Sequence, residues 1–331
     1  MSMQWRAYHE SLPLAREFRI SRGAKTHADV IVVEVSQHGA TGRGEAVPYA
    51  RYGESIDQAL AQLQRVAPRL TDISMHSDLP QLLEAGAARN ALDCALWDLT
   101  AKLRHTPVSE LIGFTPPRHC LTAQTVSVGP LEQMREEALS LGQAQLIKVK
   151  LDPESVVDKI RAIHQVCPTS QFIVDANEGW TLKLLEQVAP QLSSMNVALI
   201  EQPLPAHDDE LLAHYRGPVP LCADESCHTA ATLPSLKNKY QAVNIKLDKT
   251  GGLTEAVALY QAAKAQNFSV MVGCMVASSL AMAPAFLLCQ GADFVDLDGP
   301  ILIKQDRPNG FIIENGIMRN PAQLLWGMGS D

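Results

Sequence analysis

Ile147-Lys148-Val149-Lys150-Leu151 sets two lysines two residues apart inside an apolar run. Strand side chains alternate with period two, so both ammonium groups fall on one face. A buried charge needs a partner, so the pair must sit at a solvated strand end or be answered by anions. The pentapeptide alone reads equally well as an edge strand protected by lysines. Three carboxylates further along supply the anions: Asp175 closes Phe172-Ile173-Val174, Glu201 closes Val197-Ala198-Leu199-Ile200, and Asp224 follows Leu221-Cys222-Ala223. Each stands one β/α unit from the next, so the three belong to successive strands and converge at the mouth of a barrel. Any one of them alone could cap the following helix. Three together would repel and raise one another's pKa unless a cation lies between them, and oxygen ligands with room for water or substrate suit Mg2+.

Lys246 closes Val243-Asn244-Ile245, one unit after Asp224 and shortly before Gly251-Gly252. In an eight-stranded barrel its strand lies roughly opposite that of Lys148 and Lys150, so an amine reaches a bound substrate from each side. Neighbouring cations are expected to lower a lysine's pKa and tune it as a base. A base on each face, with a divalent ion on a carboxylate, is what removal of a proton α to that carboxylate requires. Lys246 by itself also reads as a Schiff-base lysine or a salt-bridge partner; borohydride trapping against chelator sensitivity separates these. Asp296 and Asp298, at i and i+2 before Gly299-Pro300, share one face. They are more anions than one metal needs and suit a substrate ammonium or guanidinium, or else they form a turn cap.

The elements that must position these groups fall into two textures. Up to about residue 115 strands precede helices. Val30 to Val35 is a β-branched run bounded by Gly39 and by Gly42-Arg43-Gly44, part of a small antiparallel meander. Residues 48–53 read as a loop, and apolar residues at helical spacing predict helices over 55–70 and 85–103. Beyond the Pro116-Pro117 pair, strand and helix alternate, with strands expected at 121–128, 145–151, 171–176, 197–202, 219–224, 241–247, 269–274 and 293–298. Eight strands in repeated β/α units with short turns, and no G-x-G-x-x-G after any strand, favour a closed barrel over a dinucleotide fold.

Composition narrows the classes. The 331 residues are 46% hydrophobic and 19% charged with a net charge of −8, which describes an acidic globular chain and argues against nucleic acid as a partner. The N-terminus carries no apolar signal-like stretch and no window reaches 18 uninterrupted apolar residues, so a cytoplasmic location without membrane partners is the expectation. Seven scattered cysteines, never spaced C-x-x-C, read as reduced buried thiols.

Lys148-x-Lys150, Asp175, Glu201, Asp224 and Lys246 together resemble the enolase superfamily, whose lysine bases and Mg2+ are a known pattern, and more narrowly its muconate-lactonising subgroup. Asp296-x-Asp298, Asp175-Ala-Asn-Glu-Gly-Trp180, Cys222-Ala-Asp-Glu-Ser226 and Asn244-Ile-Lys-Leu-Asp-Lys-Thr-Gly-Gly252 are similar to the dipeptide epimerases, the L-Ala-D/L-Glu epimerases above all. Gly86-Ala-Ala-Arg-Asn-Ala-Leu-Asp-Cys94 and Pro48-Tyr-Ala-Arg-Tyr-Gly-Glu-Ser55 match there too. The resemblance implies an α/β fold: an N-terminal α+β capping domain over 1–115, onto which a tail from about 305 to 331 packs back, and a modified TIM barrel, (β/α)7β, over 116–304. It implies one Mg2+ per subunit on Asp175, Glu201 and Asp224, and Lys150 and Lys246 as the two acid/base groups. Lys148 would contact the substrate carboxylate, Asp296 and Asp298 the α-ammonium, and Thr125 and Cys274 the substrate. Arg22 and Arg51 would meet a glutamate side chain. The implied reaction is 1,1-proton transfer through an enediolate on a dipeptide such as L-Ala-D-Glu or L-Ala-L-Glu, in peptidoglycan peptide recycling, by a possible homo-oligomer. A muconate cycloisomerase or o-succinylbenzoate synthase shares the lysines and ligands, but its substrate has no ammonium for the final D-x-D. A barrel that binds without catalysing is the non-enzyme alternative; against it, every acid, base and ligand position holds a competent residue.

Overall fold

The computed structural model describes residues 3–20, 23–70, 76–320 and 325–328. β1 (Gln4–Ile20), β2 (Gly23–Gln37) and β3 (Ala40–Ala46) form an antiparallel sheet in chain order. The β-branched run in β2 is apolar on both faces because both are covered. Ile31, Val33 and Val35 pack on the helices of this region, while Val30 and Val32 join the larger core that continues into the barrel. α1 (Ile56–Val66) begins at Ser55, whose Oγ accepts from Gln58 N at 3.3 Å, and α2 (Ala87–Arg104) fills the 85–103 pattern. Gly42 and Gly44, expected to bound the strand, instead lie inside β3. Their missing side chains let β3 lie directly on the backbone of α2 at Ala91, Ala95 and Leu99.

Eight parallel strands follow in chain order: β5 (Gln124–Val126), β6 (Leu146–Lys150), β7 (Gln171–Asp175), β8 (Val197–Glu201), β9 (Leu221–Ala223), β10 (Ala242–Ile245), β11 (Ser269–Gly273) and β12 (Phe294–Asp296). The hydrogen bond from Ala123 N to Val295 O, 2.8 Å, joins the first strand to the last and closes the barrel. The first expected strand is split: β4 (His119–Leu121) precedes β5 and pairs with β14 (Ile317–Arg319), which pairs with β13 (Ile312–Glu314).

α3 (Leu131–Ser140), α4 (Val156–Val166) and α5 (Leu182–Ser193) follow β5, β6 and β7; α6 (Leu253–Ala265) follows β10 and α7 (Ser279–Phe286) follows β11. After β8 the expected helix is only a 3-10 stretch, Asp209–His214. Pro203 and Pro205 precede that stretch and Pro218 and Pro220 follow it, so a helix there cannot extend past either end. Seven strand-to-strand units and a final strand make the (β/α)7β barrel. Beyond it the chain returns to the N-terminal region, where Trp326 Nε1 donates to Arg43 O at 2.8 Å and Gly327 N to Asp98 Oδ1 at 2.9 Å. Among the described residues no helix is long and apolar enough to cross a membrane, and all seven cysteines are free.

Candidate active site

The site continues the inward-facing pattern of the barrel. Leu146, Ile173, Leu199 and Cys222 pack one apolar layer, and two residues further along the same strands the same face carries Lys148, Asp175, Glu201 and Asp224. Asp175 and Glu201 are neighbours in register across β7 and β8, and Lys150 lies beside Asp175 across β6 and β7. β10 stands four places round the eight-stranded ring from β6, so Lys150 and Lys246 stand on opposite sides of it.

Charges interleave closely. Lys148 Nζ is 2.7 Å from Glu201 Oε2, 2.8 Å from Asp296 Oδ2 and 3.1 Å from Asp175 Oδ2. Lys150 Nζ donates to Asp175 Oδ2 at 2.9 Å and Asn177 Oδ1 at 3.3 Å, and lies 5.7 Å from the centre of the Phe18 ring. Lys246 Nζ donates to Asp224 Oδ2 at 2.7 Å. Lys249, fully buried, donates to Asp224 Oδ1 at 2.6 Å, to Asp224 O and to Asn244 O. Asn244 Nδ2 donates to Glu201 Oε1 at 2.7 Å, and Asp298 Oδ2 accepts from Thr125 N at 2.8 Å. Glu201 Oε2, despite its ion-pair contact, and Asp296 Oδ1 are buried oxygens that accept no hydrogen bond.

Burial disfavours every charge here, and the neighbours decide the outcome. For Asp224, Lys246, Lys249 and Lys148 outweigh burial and hold the carboxyl well below the usual range; Lys150 and Lys148 do the same for Asp175. Burial and Asp175 push Glu201 up to about 7, and burial and Asp296 push Asp298 up to about 7. The expected lowering of lysine pKa values is reversed at Lys148 and Lys246. Burial opposes the Lys148 ammonium, but Asp296, Glu201 and Asp175 raise it well above the usual value, and Asp224 does so for Lys246. The physical reason is direct contact: carboxylate oxygens lie 2.7 to 3.1 Å from the Lys148 ammonium and 2.7 Å from that of Lys246.

A cavity of about 480 Å3 opens over this layer, lined by Lys148, Lys150, Lys246, Asp224, Asp296, Asp298, Thr125, Cys274 and Arg51. Asp175 and Glu201 lie behind its wall at 1% and 0% exposure. Phe18, Lys25, Tyr49 and Tyr52 close it from the N-terminal region. Arg51 Nε and Nη2 both donate to Glu178 at 2.6 Å, so its guanidinium already has a carboxylate partner. Cys274 is half-buried, its thiol pushed well up by burial, Asp296 and Asp298. Arg22 lies outside the described residues. Sequence reasoning gave no role to Lys249, Asn244, Asn177 or Tyr52. Lys249 alone left a signal, a second lysine three residues after Lys246 on the turn Leu247–Thr250.

Among the described residues no three His, Cys, Asp or Glu side chains are drawn together tightly enough to enclose a metal in this arrangement, because ammonium groups stand between the carboxylates. The donor set is nevertheless right for a hard cation. It is all oxygen, carried on three successive strand ends, with one Glu201 oxygen accepting no hydrogen bond.

Residues 3–113 match the family described as "Mandelate racemase / muconate lactonizing enzyme, N-terminal domain", and residues 132–329 match "Enolase C-terminal domain-like". An L-Ala-D/L-Glu epimerase of Escherichia coli (strain K12) is 47% identical over 91% of this chain and 94% of its own length. An N-acetyl-D-glutamate racemase of Pseudoalteromonas sp. is 48% identical over 90% and 95%. Among solved structures, an enolase family member from Agrobacterium tumefaciens with homology to dipeptide epimerases, with bound sodium and L-Ala-L-Glu, superposes with a TM-score of 0.93. It is 42% identical and the match covers 98% of this chain and 100% of that one. With both halves matched and relatives of this closeness along nearly its whole length, the chain belongs to the mandelate racemase/muconate lactonizing family of the enolase superfamily.

Proposed function

We propose that this protein is an Mg2+-dependent dipeptide epimerase that inverts the α-carbon of the C-terminal residue, with L-Ala-D/L-Glu as the first substrate to test. The observation that carries the reading is the pair of lysines facing one cavity from strands four apart, with Asp296 and Asp298 in the same wall. Asp175, Glu201 and Asp224 would hold the metal, which when bound supplies positive charge to the substrate carboxylate and acidifies the adjacent C–H. Asp224 engaged in holding the metal would no longer raise the Lys246 pKa as it does here. Of Lys150 and Lys246, one takes the α-proton as a neutral amine, and the other, as ammonium, delivers a proton to the opposite face. Lys148 holds the substrate carboxylate and stabilises the enediolate. Asp296 and Asp298 hold the α-ammonium, with Thr125 and Cys274 along the dipeptide. Arg51, together with Arg22, is the proposed contact for a glutamyl side chain; Arg51 would share itself between that group and Glu178. Residues 1–115 with the tail act as the cap and 116–304 as the catalytic barrel. A cytoplasmic location, a role in peptidoglycan peptide recycling and a homo-oligomeric state complete the proposal.

The N-acetyl-D-glutamate racemase relative gives a second reading some weight. An N-acyl amino acid offers no cation to two buried aspartates, which favours the free dipeptide. In D2O with Mg2+, solvent deuterium should enter the α-position of L-Ala-L-Glu and L-Ala-D-Glu, and not of N-acetyl-L-Glu. Lys150→Ala and Lys246→Ala should each lose at least about 100-fold in epimerisation while retaining exchange from one epimer only. Unchanged turnover of both epimers by either variant sinks the two-base mechanism. Exchange confined to N-acetyl-L-Glu replaces the dipeptide reading with the racemase one.

A further inference from the structure

Asp224 stands one residue beyond β9, a strand of only three residues. The β8–β9 ladder ends at Glu201 and Cys222, and the β9–β10 ladder at Ala223 and Val243, so neither reaches the Asp224 backbone. Its N–H would be an orphan donor in a fully buried place but for the side chain of Gln202. Gln202 Oε1 accepts from Asp224 N at 3.0 Å and from Ser226 N at 3.1 Å, while the two protons of Nε2 are shared among three acceptors, Leu204 O, Ser226 Oγ and Tyr240 OH, each at 2.9 Å. The amide fits only one way round, since two backbone donors face one end and a carbonyl the other.

Gln202 is the residue after Glu201, is completely buried, and has φ 35°, a left-handed conformation that a side chain disfavours. A glycine would adopt that turn more easily but would leave the Asp224 N–H unmet. Outward, Ser226 Oγ and Tyr240 OH both donate to Asp209 Oδ2, and Lys239 Nζ donates to Asp209 Oδ1 at 2.7 Å, so the amide is itself held fast.

We infer that Gln202 is a positioning residue for the divalent-cation site. It ties the backbone of Asp224 to the strand end that carries Glu201 and so sets the spacing of the two carboxylates. This rests on the reading that Asp175, Glu201 and Asp224 hold Mg2+. The residue touches neither substrate nor reacting atoms and acts through Asp224.

The test is Gln202→Met, close in shape but without the amide's hydrogen bonds, alongside Tyr240→Phe, which loosens the same network without touching Asp224. Mg2+ binding is measured by calorimetry on the full chain, with thermal unfolding of the metal-free protein and kcat and KM for L-Ala-L-Glu. Gln202→Met should weaken Mg2+ by about 10-fold or more, the usual effect of removing a ligand's supporting partner, and lower kcat more than it raises KM at saturating Mg2+. Tyr240→Phe should lower the melting temperature and leave Mg2+ affinity within about 2-fold, well below the usual loss. Equal Mg2+ affinity in wild type and Gln202→Met overturns this inference alone, as does an equal loss in both variants. No Mg2+ binding by the wild type overturns it together with the metal assignment. Should Gln202→Met not fold, Gln202→Glu decides, because it keeps an acceptor facing Asp224. Mg2+ affinity within about 3-fold of wild type supports the inference, and a 10-fold loss refutes it.

Discussion

Two buried aspartates, Asp224 just past β9 and Asp248 on the turn Leu247–Thr250 after β10, show how partners, rather than burial, set the state of a carboxyl. Asp224 meets two ammonium groups and is held well below the usual range. Asp248 meets only neutral donors, Val47 N and Asn90 Nδ2, both at 2.9 Å, and burial pushes it up to about 7. Its unfolded pKa is near 3.9, so between about pH 4 and 7 the folded state binds the extra proton. Stability therefore falls as pH rises through that window, and the penalty is fully present above it. Asp248→Asn keeps an acceptor for both donors and removes the titration. Relative to wild type, the variant should gain stability between pH 4 and pH 8, by on the order of 2–4 kcal/mol if the whole shift is expressed. Urea unfolding of both proteins at pH 5 and pH 8 measures this, and Glu201 and Asp298, which titrate in the same range, cancel in the comparison. A stability difference that is the same at both pH values means that Asp248 stays ionised.

At the scale of elements, spacing made the barrel legible. Apolar runs ending in Asp175, Glu201, Asp224 and Lys246 mark strand ends one unit apart; Asp175 and Glu201 end β7 and β8, and Asp224 and Lys246 stand one residue past β9 and β10. What could not be read was anything that depends on close approach between distant segments. Lys249 and Gln202 serve the site through hydrogen bonds that the fold creates, and no strand periodicity announces them. Gly42 and Gly44 illustrate the same limit. In sequence they look like a strand boundary, whereas in the fold they sit mid-strand because α2 leaves no space for a Cβ. A methyl at Gly44 would collide with backbone at Ala91 and Ala95, which cannot swing aside as a side chain would. Gly44→Ala should therefore cost at least about 1–3 kcal/mol, the range for overpacking, seen as a lower urea midpoint. Gly53→Ala is not a suitable control, since its φ of 75° carries its own strain. Gly129, whose nearest neighbour is the flexible end of Gln133, should tolerate alanine with a change below about 0.5 kcal/mol. Equal losses at positions 44 and 129 would show that helix contact is not what fixes the glycine.

Across the whole molecule, the cap and the barrel share one core as well as one cavity. Val30, Val32, Val47 and Cys94 belong to the same apolar cluster as Val149, Val174 and Ile245, and Phe18 and Tyr52 close the mouth over lysines supplied by the barrel. Arg307, beyond the last barrel strand, ties the two parts from the other side. Its Nη2 lies 2.6 Å from Glu10 on β1 and 2.6 Å from Glu45 on β3, and Glu45 also accepts from Ser278 N and Oγ of the barrel. Glu45 is fully buried, so Arg307→Met strands a charge in the interior. Breaking a buried pair in this way costs about 3–5 kcal/mol; with the guanidinium 20% exposed, a loss of about 2–3 kcal/mol is expected. Because the apolar core is continuous, that loss should move a single unfolding transition rather than release the cap alone. Far-UV circular dichroism reports all helices, while tryptophan fluorescence reports Trp5, Trp97 and the tail's Trp326 on the cap side and Trp180 in the barrel. In urea the two signals should coincide for wild type and for Arg307→Met, with the variant midpoint lower. Separation of the two curves in the variant would mean that the Arg307–Glu45 pair, and not the shared core, is what makes the cap and barrel unfold as one.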